Sequence, residues 1–183
     1  IVSLGMGLGK TLTTLTHILS LPKLDQPSLI VASKTIINVW IECLKDFFIP
    51  EAVNVLVFHK EYCDNFETIT QAEIANYDIV LTTYETCCIT SERKKFYEKC
   101  LEYGPSGDKV MSVNLRKRED LRYKKSIGPD VLYNVPWGRV ICDESQKFAN
   151  PDTKTYRHIM ALYGEYKWCL SGTPIRNYDT DIW

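Results

Sequence analysis

The feature that most constrains this chain is a glycine-rich turn held between an apolar run and a helix-like stretch. Ile1-Val2-Ser3-Leu4 passes directly into Gly5-Met6-Gly7-Leu8-Gly9-Lys10-Thr11, and Leu12 to Leu21 follows with the composition of a helix. Three glycines in five positions let the backbone turn tightly enough for successive N–H groups to face one anion. The helix adds the partial positive charge of its N-terminus. A strand ending in such a cradle is a phosphate-binding device, in which Lys10 reaches the terminal phosphates and the Thr11 hydroxyl ligates Mg²⁺. The strict pattern G-x-x-x-x-G-K-[ST] places a glycine where this chain has Leu4. The assignment therefore rests on Gly7-Leu8-Gly9-Lys10-Thr11 and on its strand-before, helix-after setting.

The rest of the chain repeats the alternation of strand and helix. Ser28 to Ala32 is a continuous apolar run of the kind buried on both faces of a parallel sheet. Thr35 can cap a helix running to about Phe48, with Ile36, Val39, Trp40, Leu44 and Phe47 at helical spacing as its core face, and Pro50 ends it. Val53–Phe58 and Asp78–Thr83 read as strands on either side of a short helix at Gln71–Asn76. Ser91 to Tyr103 has an amphipathic helical pattern, broken by Gly104-Pro105-Ser106-Gly107. Periodicity then fails, and residues 104–136 read as a basic excursion inserted into the core. Arg116, Lys117, Arg118, Arg122, Lys124 and Lys125 outnumber the nearby Glu119 and Asp120. The 114–125 segment is a solvated helix or a surface for phosphates or a protein partner. Alternation resumes with strands at Arg139–Cys142 and Lys167–Leu170 around a helix at Thr153–Tyr163. This order predicts an α/β fold with a mostly parallel sheet flanked by helices on both faces, and ligands at the carboxyl ends of its strands.

Composition sets limits on this reading. At 183 residues and 45% hydrophobic, the chain can bury a single sizeable core. A formal net charge of −1 leaves no overall basic field, so any nucleic-acid contact must be local. The seven cysteines contain no C-x-x-C pair, and Cys142 and Cys169 sit in apolar runs that read as buried strands. Reduced thiols point to a nucleus or another intracellular setting, cellular or viral, and not to secretion. No apolar run approaches the ~18 residues of a membrane span, so no membrane partner is expected. Because the chain opens in mid-strand without Met, it is expected to be a fragment.

Two further constellations carry chemistry. Asp143-Glu144 directly follows an apolar strand, where a carboxylate pair suits a hydrolytic nucleotide site. Asp143 would hold Mg²⁺ through its water shell and Glu144 would orient the attacking water. An acidic pair there can equally cap a helix, and the nearby phosphate loop gives it weight. The other constellation is Leu170-Ser171-Gly172-Thr173-Pro174-Ile175-Arg176-Asn177, good turn chemistry after a strand. With Gln146 nearby, the Ser171 and Thr173 hydroxyls could also bond to the acidic loop and report the state of the phosphate.

These stretches stand in the order of the helicase motifs I, Ia, Ib, II and III. They are Gly5 to Leu12, Leu29-Ile30-Val31-Ala32-Ser33 with Trp40, Asp78 to Tyr84, Val140 to Glu144, and Leu170 to Asn177. Together they resemble the Swi/Snf-type DNA-dependent ATPases of helicase superfamily two, over nearly the whole chain. Residues 137–174 are similar, more narrowly, to the RING-finger DNA-repair branch that includes helicase-like transcription factor. The resemblance implies a RecA-like P-loop lobe over 1–183, ATP and Mg²⁺ as cofactors, and translocation on double-stranded DNA that remodels protein–DNA complexes or repair intermediates. It implies an ATP site formed by Gly5, Met6, Gly7, Leu8, Gly9, Lys10 and Thr11, with Lys10, Asp143, Glu144 and Gln146 in catalysis. Thr11 and Asp143 would serve the metal, and Ser171, Gly172 and Thr173 would couple the site to the rest of the motor. Ser33, Lys34, Thr82 and Thr83 would touch the DNA sugar-phosphate backbone, through hydroxyls and amides that position without reading bases.

The departures from the pattern are specific. Leu4-Gly5 stands where the family has two acidic residues, and Gln146 where His or another Gln is usual. The resemblance places the adenine-reading segment upstream of these residues, and the second RecA-like lobe with its arginine finger downstream. These 183 residues alone are expected to bind ATP weakly and turn it over negligibly. A degenerate nucleotide-binding or protein-interaction module is the alternative that Leu4-Gly5 suggests, although Lys10, Thr11, Asp143 and Glu144 are all present.

Overall fold

A computed structural model describes residues 2–5, 7–20, 24–48, 52–88, 101–103, 109–111 and 128–173. Its elements run β1 (Val2–Ser3), α1 (Lys10–Ser20), β2 (Ser28–Ala32), α2 (Lys34–Phe47), β3 (Val55–Phe58), α3 (Gln71–Ile74), β4 (Ile79–Thr83) and α4 (Tyr84–Cys87). They continue with β5 (Leu101–Tyr103), β6 (Lys109–Met111), β7 (Trp137–Asp143), α5 (Lys154–Ala161) and β8 (Gly164–Ser171), with 3₁₀ turns at Gly128–Tyr133 and Ser145–Phe148. Six strands form one sheet in the order β1-β8-β7-β2-β4-β3. Every pairing in it is parallel, as expected for strands joined through helices.

Alternation along each strand divides the core between two layers. Leu29, Val31, Val80, Val140 and Cys142 join one cluster with Tyr84, Phe148 and Ile159. Ile30, Ala32, Ile79, Leu81 and Ile141 point the other way, onto Leu15 and Ile18 of α1 and Ile37 and Trp40 of α2. Both faces of β2, β4 and β7 are thus covered, which is why these strands read as unbroken apolar runs. Each fully buried large side chain contributes roughly 1.5–3 kcal/mol. The doubly covered parallel sheet is the fold predicted from the alternation.

Several local expectations change. Helix α2 starts at Lys34, because Ser33 keeps the extended conformation of the strand and takes the N-cap position. Thr35 therefore lies in the first turn, its Oγ1 sharing a hydrogen bond with Ser33 Oγ at 3.2 Å. Of the apolar residues expected to form the core face of α2, Trp40 is fully buried, whereas Val39 and Phe47 are 49% and 63% exposed. Ile37 packs in their stead, since α2 meets the sheet along the Ile37–Trp40 edge of that stripe. Cys169 is half-buried, because β1 covers β8 only at Leu170 and Ser171. The helix expected to reach Tyr103 is instead a strand at Leu101–Tyr103, paired antiparallel with Lys109–Met111. Residues 89–100 of that helix, and the basic 114–125 segment, lie outside the described residues. Among the described residues no helix is long and apolar enough to cross a membrane, and six cysteines are free thiols.

Candidate nucleotide site and the adjoining strand ends

The sheet order brings three of the flagged loops to adjacent strand ends. The glycine loop follows β1, Ser171 ends β8, and Asp143 ends β7. Register aligns Ser3 with Ser171 and Asp143 with Leu170, so the loops leave the sheet at one level. Ser33 and Thr83 close β2 and β4, the next two strands along.

In the loop, Gly7 and Gly9 take φ of +76° and +77°, a left-handed conformation that only glycine adopts without strain. The Thr13 amide donates to the Gly9 carbonyl at 2.9 Å, so the helix begins there. Helix geometry then leaves the amides of Lys10, Thr11 and Leu12 without intrahelical acceptors, facing the loop. The Lys10 ammonium rests on the carbonyls of Leu4 at 2.9 Å and Gly5 at 3.2 Å. Thr11 is half-buried in the first turn, and Leu8 is exposed. Met6 lies outside the described residues.

The acidic pair is differentiated by its surroundings. Asp143 is only 4% exposed. Its Oδ2 accepts from the Trp40 indole Nε1 at 2.9 Å, and its Oδ1 accepts from the Glu144 amide at 2.9 Å. Burial pushes its pKa above the ordinary carboxylate value, while those two hydrogen bonds and the Lys10 charge pull it back. Glu144 sits in the left-handed region at φ 53°, ψ 50°, a strained conformation for a residue with a side chain. The strain turns its carboxylate out of the strand toward Gln146, whose Nε2 donates to Glu144 Oε2.

Gln146 carries the link onward. Its Oε1 accepts from Ser171 Oγ at 2.8 Å, and Ser171 Oγ accepts from the Thr173 amide at 3.0 Å. The hydroxyl-to-acidic-loop contact expected of Ser171 is present, whereas Thr173 joins through its backbone and its side chain is exposed. Gly172 lies between them, half-buried. Pro174, Ile175, Arg176 and Asn177 lie outside the described residues.

The four residues expected at DNA are split. Val31 and Ala32 pair with Thr82 and Thr83, which sets Ser33-Lys34 beside the end of β4. The Lys34 ammonium is exposed and paired with Glu61 Oε1 at 2.5 Å. Ser33 is buried. Thr82 and Thr83 are fully buried. The Thr82 hydroxyl donates to the Phe58 carbonyl at 2.9 Å. Thr83 caps α4, accepting from the Thr86 amide at 3.0 Å. These hydroxyls are thus committed inside the fold.

Sequence reasoning missed two residues at Asp143. Besides Trp40, the Tyr84 hydroxyl donates to the Asp143 backbone carbonyl at 2.7 Å. Burial pushes the Tyr84 phenol far above its usual range, so it stays a donor. A signal existed for Trp40, because a buried indole N–H needs an acceptor, but the sequence does not say which.

A glycine loop at the end of one outer strand, an acidic pair two strands away and a hydroxyl between them are the arrangement of a RecA-like P-loop lobe. A sequence model of the SNF2-related domain matches residues 1–183, and the chain belongs to that family. It is 46% identical over 188 residues to a protein of Invertebrate iridescent virus 6 named "Putative helicase 172L", matching 100% of this chain and 31% of that protein. It is 27% identical to the DNA repair protein RAD5 of Mycosarcoma maydis, matching 85% of this chain and 10% of that one. Among solved structures, the Sulfolobus solfataricus SWI2/SNF2 ATPase core in complex with dsDNA superposes with a TM-score of 0.65 at 26% identity. That match covers 99% of this chain and 29% of the other. The chain thus spans about a third or less of the length of these relatives. Relatives named as ATP-dependent helicases, from fission and budding yeast, connect the family with ATP.

Proposed function

We propose that this chain is the ATP-binding lobe of a DNA-dependent ATPase that moves along double-stranded DNA and remodels protein–DNA complexes or repair intermediates. The observation that carries the reading is the relay Glu144–Gln146–Ser171–Thr173 beside the glycine loop. It joins the group that would handle the attacking water to a strand end built to sense its position.

The residues present fit ATP. Left-handed Gly7 and Gly9 open the cradle, the first-turn amides face it, and the Lys10 ammonium already sits among oxygen acceptors it can exchange for phosphate oxygens. They also fit Mg²⁺, which takes one or two protein oxygens and completes its shell with water and phosphate. Asp143 and Thr11 are that donor set. Mg²⁺, when bound, would neutralise charge on the transferring phosphate. Glu144, oriented by Gln146, would align a water and accept its proton. Ser33, Lys34 and the backbone at Thr82 and Thr83 would position the DNA backbone; the similar Sulfolobus solfataricus core is a complex with dsDNA, which supports DNA as the partner. A second RecA-like lobe of the same protein would complete the site. The whole of 1–183 is read as the first lobe, with 104–136 inserted except that Val131, Leu132, Tyr133 and Val135 at the end of that stretch are buried in the core, and with a protein-partner role for 114–125, in a nuclear or intracellular viral setting.

The test is steady-state ATP hydrolysis by the full-length protein with and without double-stranded DNA. Hydrolysis stimulated by DNA and lost in Lys10→Ala supports the enzyme. A parent protein that is inert under both conditions supports a degenerate module instead.

A further inference from the structure

We propose that Trp40 and Tyr84 are positioning residues that tie the DNA-facing strand ends to Asp143, so that DNA engagement sets the geometry of the nucleotide site. The inference rests on the reading of Asp143 as the metal-side carboxylate and of the β2 and β4 ends as DNA-facing.

Both side chains come from elements that begin at those ends. Helix α2 starts at Lys34, next to Ser33, and Trp40 lies six residues along it, about 9 Å by helical rise. Its indole is fully buried, and its single N–H donor is spent on Asp143 Oδ2 at 2.9 Å. Tyr84 directly follows Thr83 at the end of β4, and its buried hydroxyl is spent on the Asp143 carbonyl at 2.7 Å. Two neighbouring strand ends therefore each deliver one buried hydrogen bond to one residue, 103 and 59 positions away in sequence. The indole bond fixes the rotation of the carboxylate, and the phenol fixes the backbone that carries it. With Oδ1 accepting the Glu144 amide, the whole carboxyl group is held by protein donors.

Packing transmits a displacement here because the elements are contiguous. The α2 face carrying Ile37 and Trp40 rests on Ile30, Ala32 and Leu81, while Tyr84 packs against Phe148 at a ring-centroid distance of 5.9 Å. Phosphate binding at the start of α2 would bias the seat of the helix, and the indole would carry that bias to Asp143.

The test uses the full-length protein with Trp40→Phe, which keeps an aromatic ring and removes the N–H, and Tyr84→Phe, which removes only the hydroxyl. Measured are kcat with and without double-stranded DNA, KM for ATP, the Mg²⁺ concentration for half-maximal rate, and thermal melting. The indole ¹H–¹⁵N resonance of Trp40, identified by its loss in Trp40→Phe, is followed on adding DNA without nucleotide. Trp40→Phe is expected to cut the DNA stimulation of kcat by about tenfold and to raise the Mg²⁺ requirement, with KM for ATP within about twofold. Tyr84→Phe is expected to move both readouts the same way, and DNA is expected to shift the Trp40 resonance. Folded variants with unchanged DNA stimulation and Mg²⁺ dependence would overturn the inference, as would an indole resonance indifferent to DNA. If Trp40→Phe does not fold, Tyr84→Phe decides through the same DNA-stimulation and Mg²⁺ readouts. Failure of the underlying reading shows separately, as hydrolysis that survives Lys10→Ala and Asp143→Asn.

Discussion

The Ser171 hydroxyl donates to Gln146 Oε1 at 2.8 Å, joining the end of β8 to the turn that follows β7. Gln146 spends its amide nitrogen on Glu144, so one side chain spans the acidic pair and the Ser-Gly-Thr strand end. Among the described residues no side-chain hydrogen bond joins either partner to the glycine loop. On the proposed reading the pair holds Glu144 at a fixed angle.

Removing the hydroxyl should therefore cost rate more than binding. In the full-length protein, Ser171→Ala is expected to lower DNA-stimulated kcat by about tenfold, or about 1.4 kcal/mol of barrier, while KM for ATP stays nearly constant. The lost bonds to Gln146 and the Thr173 amide should also lower folding stability by about 1–2 kcal/mol. Steady-state kinetics and urea denaturation check the two parts. A wild-type kcat would show that the relay does not orient the water.

The glycine loop makes a backbone prediction. A Cβ added at Gly9 meets nothing within 4 Å, yet the residue stands at φ +77°. Gly9→Ala should thus cost about 1–2 kcal/mol through conformation alone. Relief of that strain would reshape the loop, so nucleotide affinity should fall as well. Isothermal titration with an ATP analogue, beside a denaturation curve, measures both. Unchanged stability and affinity would mean that the loop tolerates a right-handed residue.

Much of this was legible before the structure, for a physical reason. Leu29-Ile30-Val31 and Val140-Ile141-Cys142 are buried on both faces, so they advertise themselves as apolar runs, and turn chemistry marks their ends. Position within the sheet leaves no such mark: nothing local says that β1 pairs with β8. The α2 stripe misled because helical spacing identifies a face but not how far the sheet extends beneath it, which left Val39 and Phe47 in solvent. Leu101-Glu102-Tyr103 is too short a window to separate alternation from helical period. The bonds from Trp40 and Tyr84 to Asp143 are properties of the assembled sheet, and the same holds for the inward turn of the Thr82 and Thr83 hydroxyls.

Asp143 should give the protein an unusual pH response. Its folded pKa is raised by burial, so in the window between the ordinary aspartate value and that raised value the native state binds more protons than the unfolded chain. Stability from this group is greatest below the unfolded pKa and falls as pH rises through the folded one, opposite to a salt-bridged aspartate. Urea denaturation across this acidic range should show a shallower fall for Asp143→Asn than for wild type. The slope is the readout, because the variant's NH₂ must also face one of two donors and so carries a constant penalty. Equal slopes would place the titration elsewhere. In the same window a proton competes with metal, so Mg²⁺-dependent nucleotide binding should fail at a higher pH than an ordinary aspartate would allow.

The Lys34–Glu61 pair tests the proposed DNA face. Both groups are exposed, and the Glu61 carboxylate lies 2.5 Å from the ammonium expected to meet phosphate. The carboxylate holds the Lys34 pKa up and is itself held below its usual range, so both are charged at neutral pH. DNA binding must then exchange one anion for another at Lys34, and Glu61 also repels the incoming phosphate. Glu61→Ala in the full-length protein should tighten binding to double-stranded DNA at low salt, without a measurable change in melting temperature. Lys34→Ala should weaken binding to all sequences alike and reduce the slope of log affinity against log salt by about one. Fluorescence anisotropy over a salt series checks both. If neither variant alters affinity or slope, DNA does not approach the start of α2.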